Sequence, residues 1–103
     1  MSESSELTGP LVAAIRKCGV MAERMNSGMV RVKGGFMQLH SPGTADILAF
    51  PRGRVVWIEC KTLTGKTRKG TAEDQAEFKR KVEALGHEYH RVTSLAEGLE
   101  AVR

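Results

Sequence analysis

The stretch "ADILAFPRGRVVWIECK", Ala45 to Lys61, constrains the fold more than any other part of the chain. "RVVWIECK" is rich in β-branched and aromatic residues and reads as the best strand in the sequence. "ADILAF" reads as a second strand, and "FPRG" between them has Pro51 and Gly53 where a type I turn wants them. If the two strands pair as a hairpin about "PRG", the start of the first lies beside the end of the second, and Asp46 comes close to Glu59 and Lys61. Side chains alternate along a strand, so Glu59 and Lys61 share a face with Trp57, while Val56, Ile58 and Cys60 suit the buried face. Two carboxylates and an ammonium at one end of a sheet are a poor arrangement unless a metal ion is shared. The plainer alternative is a charged stripe facing solvent.

Around this hairpin the chain alternates between helical and strand patterns. Leu11, Val12, Ile15 and Cys18 lie at helical spacing before Gly19. That helix begins either near Glu6, capped by Ser4 or Ser5 with Pro10 just inside it, or at Pro10 itself. "VMAERMN" reads as a strand, and "MVRVKGGFMQLH" as two short strands joined at Gly34-Gly35. After a loop over 62–70, Thr71 opens a second helix that places Gln75, Phe78, Val82 and Leu85 on one face and ends at Gly86. "HEYHRVT" is a further strand, and Ser94 to Glu97 forms a capping box for a last helix, with Leu95, Leu99 and Val102 inward. The order helix, three or four strands, helix, strand, helix predicts one domain over 1–103, a small α/β sandwich around one central sheet.

Composition removes several function classes. With 27% charged and 41% hydrophobic residues the chain reads as globular. No apolar run approaches the roughly 18–20 residues of a membrane span, and "MSESSELTG" lacks the pattern of a signal peptide. Cys18 and Cys60 read as two reduced core thiols of a cytoplasmic protein, and no cysteine zinc site can be built from them. "HEYH", His87 to His90, reads as two partly exposed strand residues rather than metal ligands. "TGKT", Thr64 to Thr67, ends like a phosphate-binding P-loop, but Cys60 stands where the first glycine belongs and "TRKGT" follows where a helix should open at once. No nucleotide cofactor is expected. The net charge of +4 suits a polyanionic partner, and Lys61, Lys66, Arg68 and Lys69 cluster beside Gly65 and Gly70. This is either a solvated loop or one that grips a nucleic-acid backbone.

The elements "PGTADILAF", "GRVVWIECKTLTGK", "DQAEF" and the ending "GHEYHRVTS" resemble the PD-(D/E)xK nuclease superfamily. Within it they are most similar to the small stand-alone virus-type replication-repair nuclease (VRR-NUC) domains, typical of phages. The resemblance covers about residues 6–100. It departs at one point: where the family has Pro before the aspartate, this chain has Ala45, which loses the fixed φ that stiffens the turn.

The resemblance implies a restriction-endonuclease-like core, a small central mixed β-sheet flanked by helices in αβββαβ order. Asp46 and Glu59 match the acidic residues that hold Mg²⁺ or Mn²⁺ through oxygen, the Cys60 backbone carbonyl matches a further ligand, and Lys61 matches the catalytic lysine. Gln75 matches a glutamine on the helix after the lysine strand, and Glu6 matches an acidic residue on the first helix that completes the metal shell, directly or through water. "RMNSG" resembles a substrate-facing segment, which gives Arg24 and Asn26 a DNA contact; its plainer reading is a turn. Lys66, Arg68 and Lys69 would follow the DNA backbone without reading sequence. The implied activity is structure-selective hydrolysis of DNA phosphodiester bonds by a homodimer on four-way junctions, in the cytoplasm (of the host, for a phage protein). An inactive DNA-binding module and a monomeric nicking or flap nuclease are the alternatives.

Overall fold

In the computed structural model the two strands around "PRG" pair as an antiparallel hairpin. The structure describes residues 3–25, 29–38, 42–61 and 69–103. Its elements are α1 (Glu3–Lys17), β1 (Met21–Arg24), β2 (Met29–Val32), β3 (Gly35–Gln38), β4 (Ile47–Phe50), β5 (Val56–Cys60), α2 (Lys69–Ala84), β6 (Glu88–Val92) and α3 (Leu95–Ala101). The main sheet has the order β1-β4-β5-β6. β1/β4 and β4/β5 are antiparallel, and β5/β6 is parallel across the α2 connection. β2 and β3 form a separate two-stranded sheet rather than joining one central sheet. The five strand segments read before α2 are all present, so the expected total of three or four is too low.

The turn between β4 and β5 differs from the expected type I. Arg54 N–H donates to the Pro51 carbonyl at 3.0 Å, and the two central residues, Arg52 (φ 45°) and Gly53 (φ 77°), are both left-handed. This is the mirror-image turn, whose twist matches that of the flanking strands in a two-residue hairpin. The pairing Ile47↔Ile58 and Leu48↔Trp57 follows from it, and continuing that ladder by one residue sets Asp46 opposite Glu59.

One face of the sheet packs on α1 and α3. Val56, Ile58 and Cys60 of β5 meet Leu11 and Ile15 of α1 there, all fully buried, and each branched aliphatic contributes about 1.5–3 kcal/mol by leaving water. That packing carries α1 through Pro10, which lies inside the helix and has no N–H to offer the Glu6 carbonyl. The helix begins at Glu3, so neither expected start holds: Ser4 and Ser5 lie inside it rather than capping it, and Pro10 is interior. Gly98 of α3 sits against Leu11, with no room for a Cβ. Gly98 and Ala101 face inward, whereas Leu95 is exposed, contrary to expectation; Leu99 and Val102 do pack on the core.

On the opposite face α2 covers β5 and β6. Phe78 meets Trp57 edge-to-face with centroids 5.0 Å apart and Tyr89 at 6.2 Å. The β1–β4 half of this face leaves the cross-strand partners Met21 and Phe50 exposed. Helix α2 opens at Lys69, two residues before Thr71, and closes at left-handed Gly86, where the His87 amide returns to the Val82 carbonyl at 3.1 Å. Leu85, expected inward, is exposed. Cys60 is buried, but Cys18 is exposed rather than a core thiol, and neither forms a disulfide. No helix among the described residues is long and apolar enough to cross a membrane.

Candidate active site

Asp46, Glu59, Lys61 and Gln75 converge at the end of the β4–β5 hairpin that carries the chain into α2. Asp46 is fixed from both sides. Its carbonyl accepts from the Met25 amide at 2.8 Å, just past β1, and its Oδ2 accepts from the Cys60 amide at 2.8 Å, across on β5. These two bonds fix the backbone and side chain of Asp46, and its neighbour Ala45 is fully buried. Glu59 is only 4% exposed. Its Oε2 accepts from Lys61 Nζ at 3.1 Å and from Gln75 Nε2 at 3.1 Å. Lys61 is held in turn by its amide, which donates to the Val92 carbonyl of β6 at 2.8 Å.

Gln75 reaches the pair from another element, so its placement is the least local part of the site. It lies one helical turn before Phe78, whose ring is clamped by Trp57 and Tyr89. The first turns of α2 are also pressed against the loop leading to Asp46. Gly43, with φ +85°, lies so close to α2 that a Cβ there would overlap the Asp74 carbonyl and stand 2.8 Å from the Gln75 nitrogen. Gly43→Ala is accordingly expected to push α2 away, break the Gln75–Glu59 bond and lower stability by about 2–3 kcal/mol. Denaturant unfolding checks it, and an unchanged midpoint would show the close approach to be unimportant.

The electrostatics are those of two carboxylates pressed together out of water. Burial, then the charge of Asp46, pushes Glu59 up to about 7, against the opposing bond from Lys61. Asp46 is also raised, by burial above all, and the Cys60 amide, Lys61 and Arg24 oppose the rise. The Cys60 thiol is pushed up to about 11, chiefly by burial, although it bonds Thr8 of α1. It packs inward, which separates its side chain from the part its carbonyl would play.

The remaining sequence candidates are placed less closely. Glu6 is exposed on α1, and no group of three His, Cys, Asp or Glu residues able to hold a metal forms among the described residues, His87 and His90 included. Arg24 ends β1, close enough for its charge to act on Asp46. Asn26, Lys66 and Arg68, with the "TGKT" segment, lie outside the described residues, and of Lys69 only its place at the start of α2 is described. Sequence reasoning missed Arg91. In the parallel ladder it is the partner of Glu59; Tyr89, two residues earlier, packs on Phe78, so Arg91 shares the α2 face, and its charge opposes the rise at Glu59. The only signal was its spacing from Tyr89, which means nothing until the β5/β6 register is known.

A mixed sheet crossed in this order, with an Asp, a Glu and a Lys at the mouth of its central hairpin, has the restriction-endonuclease-like fold that the sequence resemblance implied. Among solved structures it is similar to one described as "VRR_NUC domain", with a TM-score of 0.63 and 15% identity over 97% of this chain and 94% of that one. The likeness shows the fold. No protein-family model and no curated protein matches the sequence.

Proposed function

We propose that the chain is a metal-dependent, structure-selective DNA endonuclease that hydrolyses phosphodiester bonds as a homodimer on four-way junctions. The observation that carries this reading is the facing pair Asp46 and Glu59, with Lys61 and Gln75 both bonded to one Glu59 oxygen. The chemistry of the pair suits a hard divalent cation. Both groups offer carboxylate oxygens, and both are held above their ordinary range by burial, a penalty that a bound cation would relieve. Asp46, Glu59 and the Cys60 carbonyl would hold Mg²⁺ or Mn²⁺, with Glu6 a further candidate. Bound there, such an ion supplies charge to neutralise the scissile phosphate and to acidify a water.

The chain's own groups do the rest. Gln75 and Lys61 both bond Oε2 of Glu59 and so fix its rotamer. The Lys61 ammonium can orient the attacking water and balance negative charge growing on the phosphate. Arg24 and the basic residues Lys66, Arg68 and Lys69 would grip the backbone. Dimerisation places two such sites on paired strands, which a single domain of this size cannot do. The exposed pair Met21 and Phe50 gives self-association an apolar surface to cover.

The test is a panel of labelled four-way junction, linear duplex, flap and single strand, incubated with Mg²⁺, Mn²⁺ or EDTA. Paired, metal-dependent cuts in the junction are expected. Binding with no cut in either metal would overturn the enzyme reading in favour of an inactive module, and cuts by a sedimenting monomer would overturn the resolvase form of it.

A further inference from the structure

No described side chain of the β2–β3 hairpin belongs to the core, and the charge it carries is of one sign. Between Glu23 and Asp46 the chain has no acidic residue, while it carries Arg24, Arg31 and Lys33. In the hairpin register Arg31 pairs with Phe36 and Val32 with Gly35, so Arg31 and Phe36 share one face and Val32 and Met37 the other. Phe36 is 66% exposed, Met37 52% and Val32 40%. Each face therefore exposes at least one large apolar side chain, in a two-stranded unit that is marginal without something to pack on. The two-residue loop, Lys33 and left-handed Gly34, puts a cation at the tip.

The hairpin is also rooted at the catalytic pair. It leaves the sheet at Met25, whose amide is bonded to the Asp46 carbonyl, and its return path runs through Pro42 and Gly43 into Asp46, with Gly43 pressed on α2.

From the acid-free charge, the exposed side chains and this anchoring, we infer that the β2–β3 hairpin is a DNA wedge: Phe36 enters a base step beside the scissile phosphate while Arg31 and Lys33 hold the flanking phosphates. This rests on the nuclease reading and names the element by which that site senses DNA shape. Apolar side chains backed by arginine or lysine unstack and kink a duplex in this way. Steps that open readily, as at a junction, accept the wedge at less cost. A second copy of the chain is the less favoured occupant, because the charged residues of the hairpin, Arg31 and Lys33, are both cationic and a second copy would bring the same charge against them.

The test uses the full-length protein in EDTA with duplex and four-way junction carrying 2-aminopurine at successive steps, whose fluorescence rises on unstacking. The wild type is expected to brighten one step near the cut. Phe36→Ala should abolish that rise, weaken junction binding roughly tenfold and slow cleavage, with unchanged thermal unfolding; Phe36→Tyr should restore the rise. Arg31→Ala should lower the salt slope of binding by about one. Phe36→Ala that cuts and brightens like the wild type would overturn the wedge and leave the nuclease reading standing. Brightening by a wild type that cuts nothing would do the reverse. Dissociation of a dimer by Phe36→Ala, with brightening retained, would overturn the wedge in favour of a second copy.

Discussion

Asp46→Asn and Lys61→Ala are each expected to lower DNA cleavage by about two to three orders of magnitude without unfolding the protein. The two act differently. Asparagine is isosteric and its amide oxygen can still accept from the Cys60 amide, so the 2.8 Å clamp between β4 and β5 survives. What is lost is the negative charge that would hold the cation, and with it the repulsion that helps to push Glu59 up. Asp46→Asn should therefore be dead yet no less stable than the wild type when no metal is present. Lys61→Ala instead strips a donor from Glu59 Oε2, leaving Gln75 there. It should retain DNA binding in EDTA while losing cleavage in Mg²⁺. Cleavage at the wild-type rate by either variant would remove these residues from the active site.

The second large effect is a dependence of stability on pH in the metal-free protein. Glu59 has a folded pKa of about 7, above its ordinary 4.5. Between those values the folded state keeps a proton that the unfolded state has lost. Stability must then fall as pH rises from about 4.5 through 7 and level off above it. Asp46, also raised, acts in the same direction. Glu88, held down to about 2 by Arg54, acts in the opposite direction, but only below about 4.5. Glu59→Gln should flatten the slope and raise metal-free stability at pH 8 by at most on the order of 3 kcal/mol. Mg²⁺ should raise the Tm of the wild type more at pH 8 than at pH 5, since proton and cation compete for the same carboxylate. Thermal unfolding across pH, with and without Mg²⁺, is the measurement. An unchanged slope in Glu59→Gln would show that the carboxylate is not under the strain its burial implies.

The hairpin that makes the site was legible because it is local. β-branched residues, a two-residue turn and period-two alternation lie within one contiguous stretch, and the meeting of Asp46 with Glu59 and Lys61 follows from folding it in half. The turn type was misread, since Pro51 suggested its usual second position, whereas pairing of the strands demands left-handed φ at Arg52 and Gly53. The outward Leu85 and Leu95 were misread for a related reason. Helical spacing says which residues share a face, but not how far along the helix that face stays covered.

By itself the sequence determined the strands, the helices, the carboxylate–lysine cluster and a basic chain suited to a polyanion, because each depends on near neighbours. The tertiary structure alone decided that Gln75 bonds Glu59, that Gly43 presses α2 against the loop before Asp46, that Arg91 pairs with Glu59 across a parallel ladder, and that β2 and β3 form a sheet of their own. The physical reason is distance along the chain. Register between strands joined by a helix, and the seating of that helix on the sheet, are set by packing of Trp57, Phe78 and Tyr89, which no local pattern encodes.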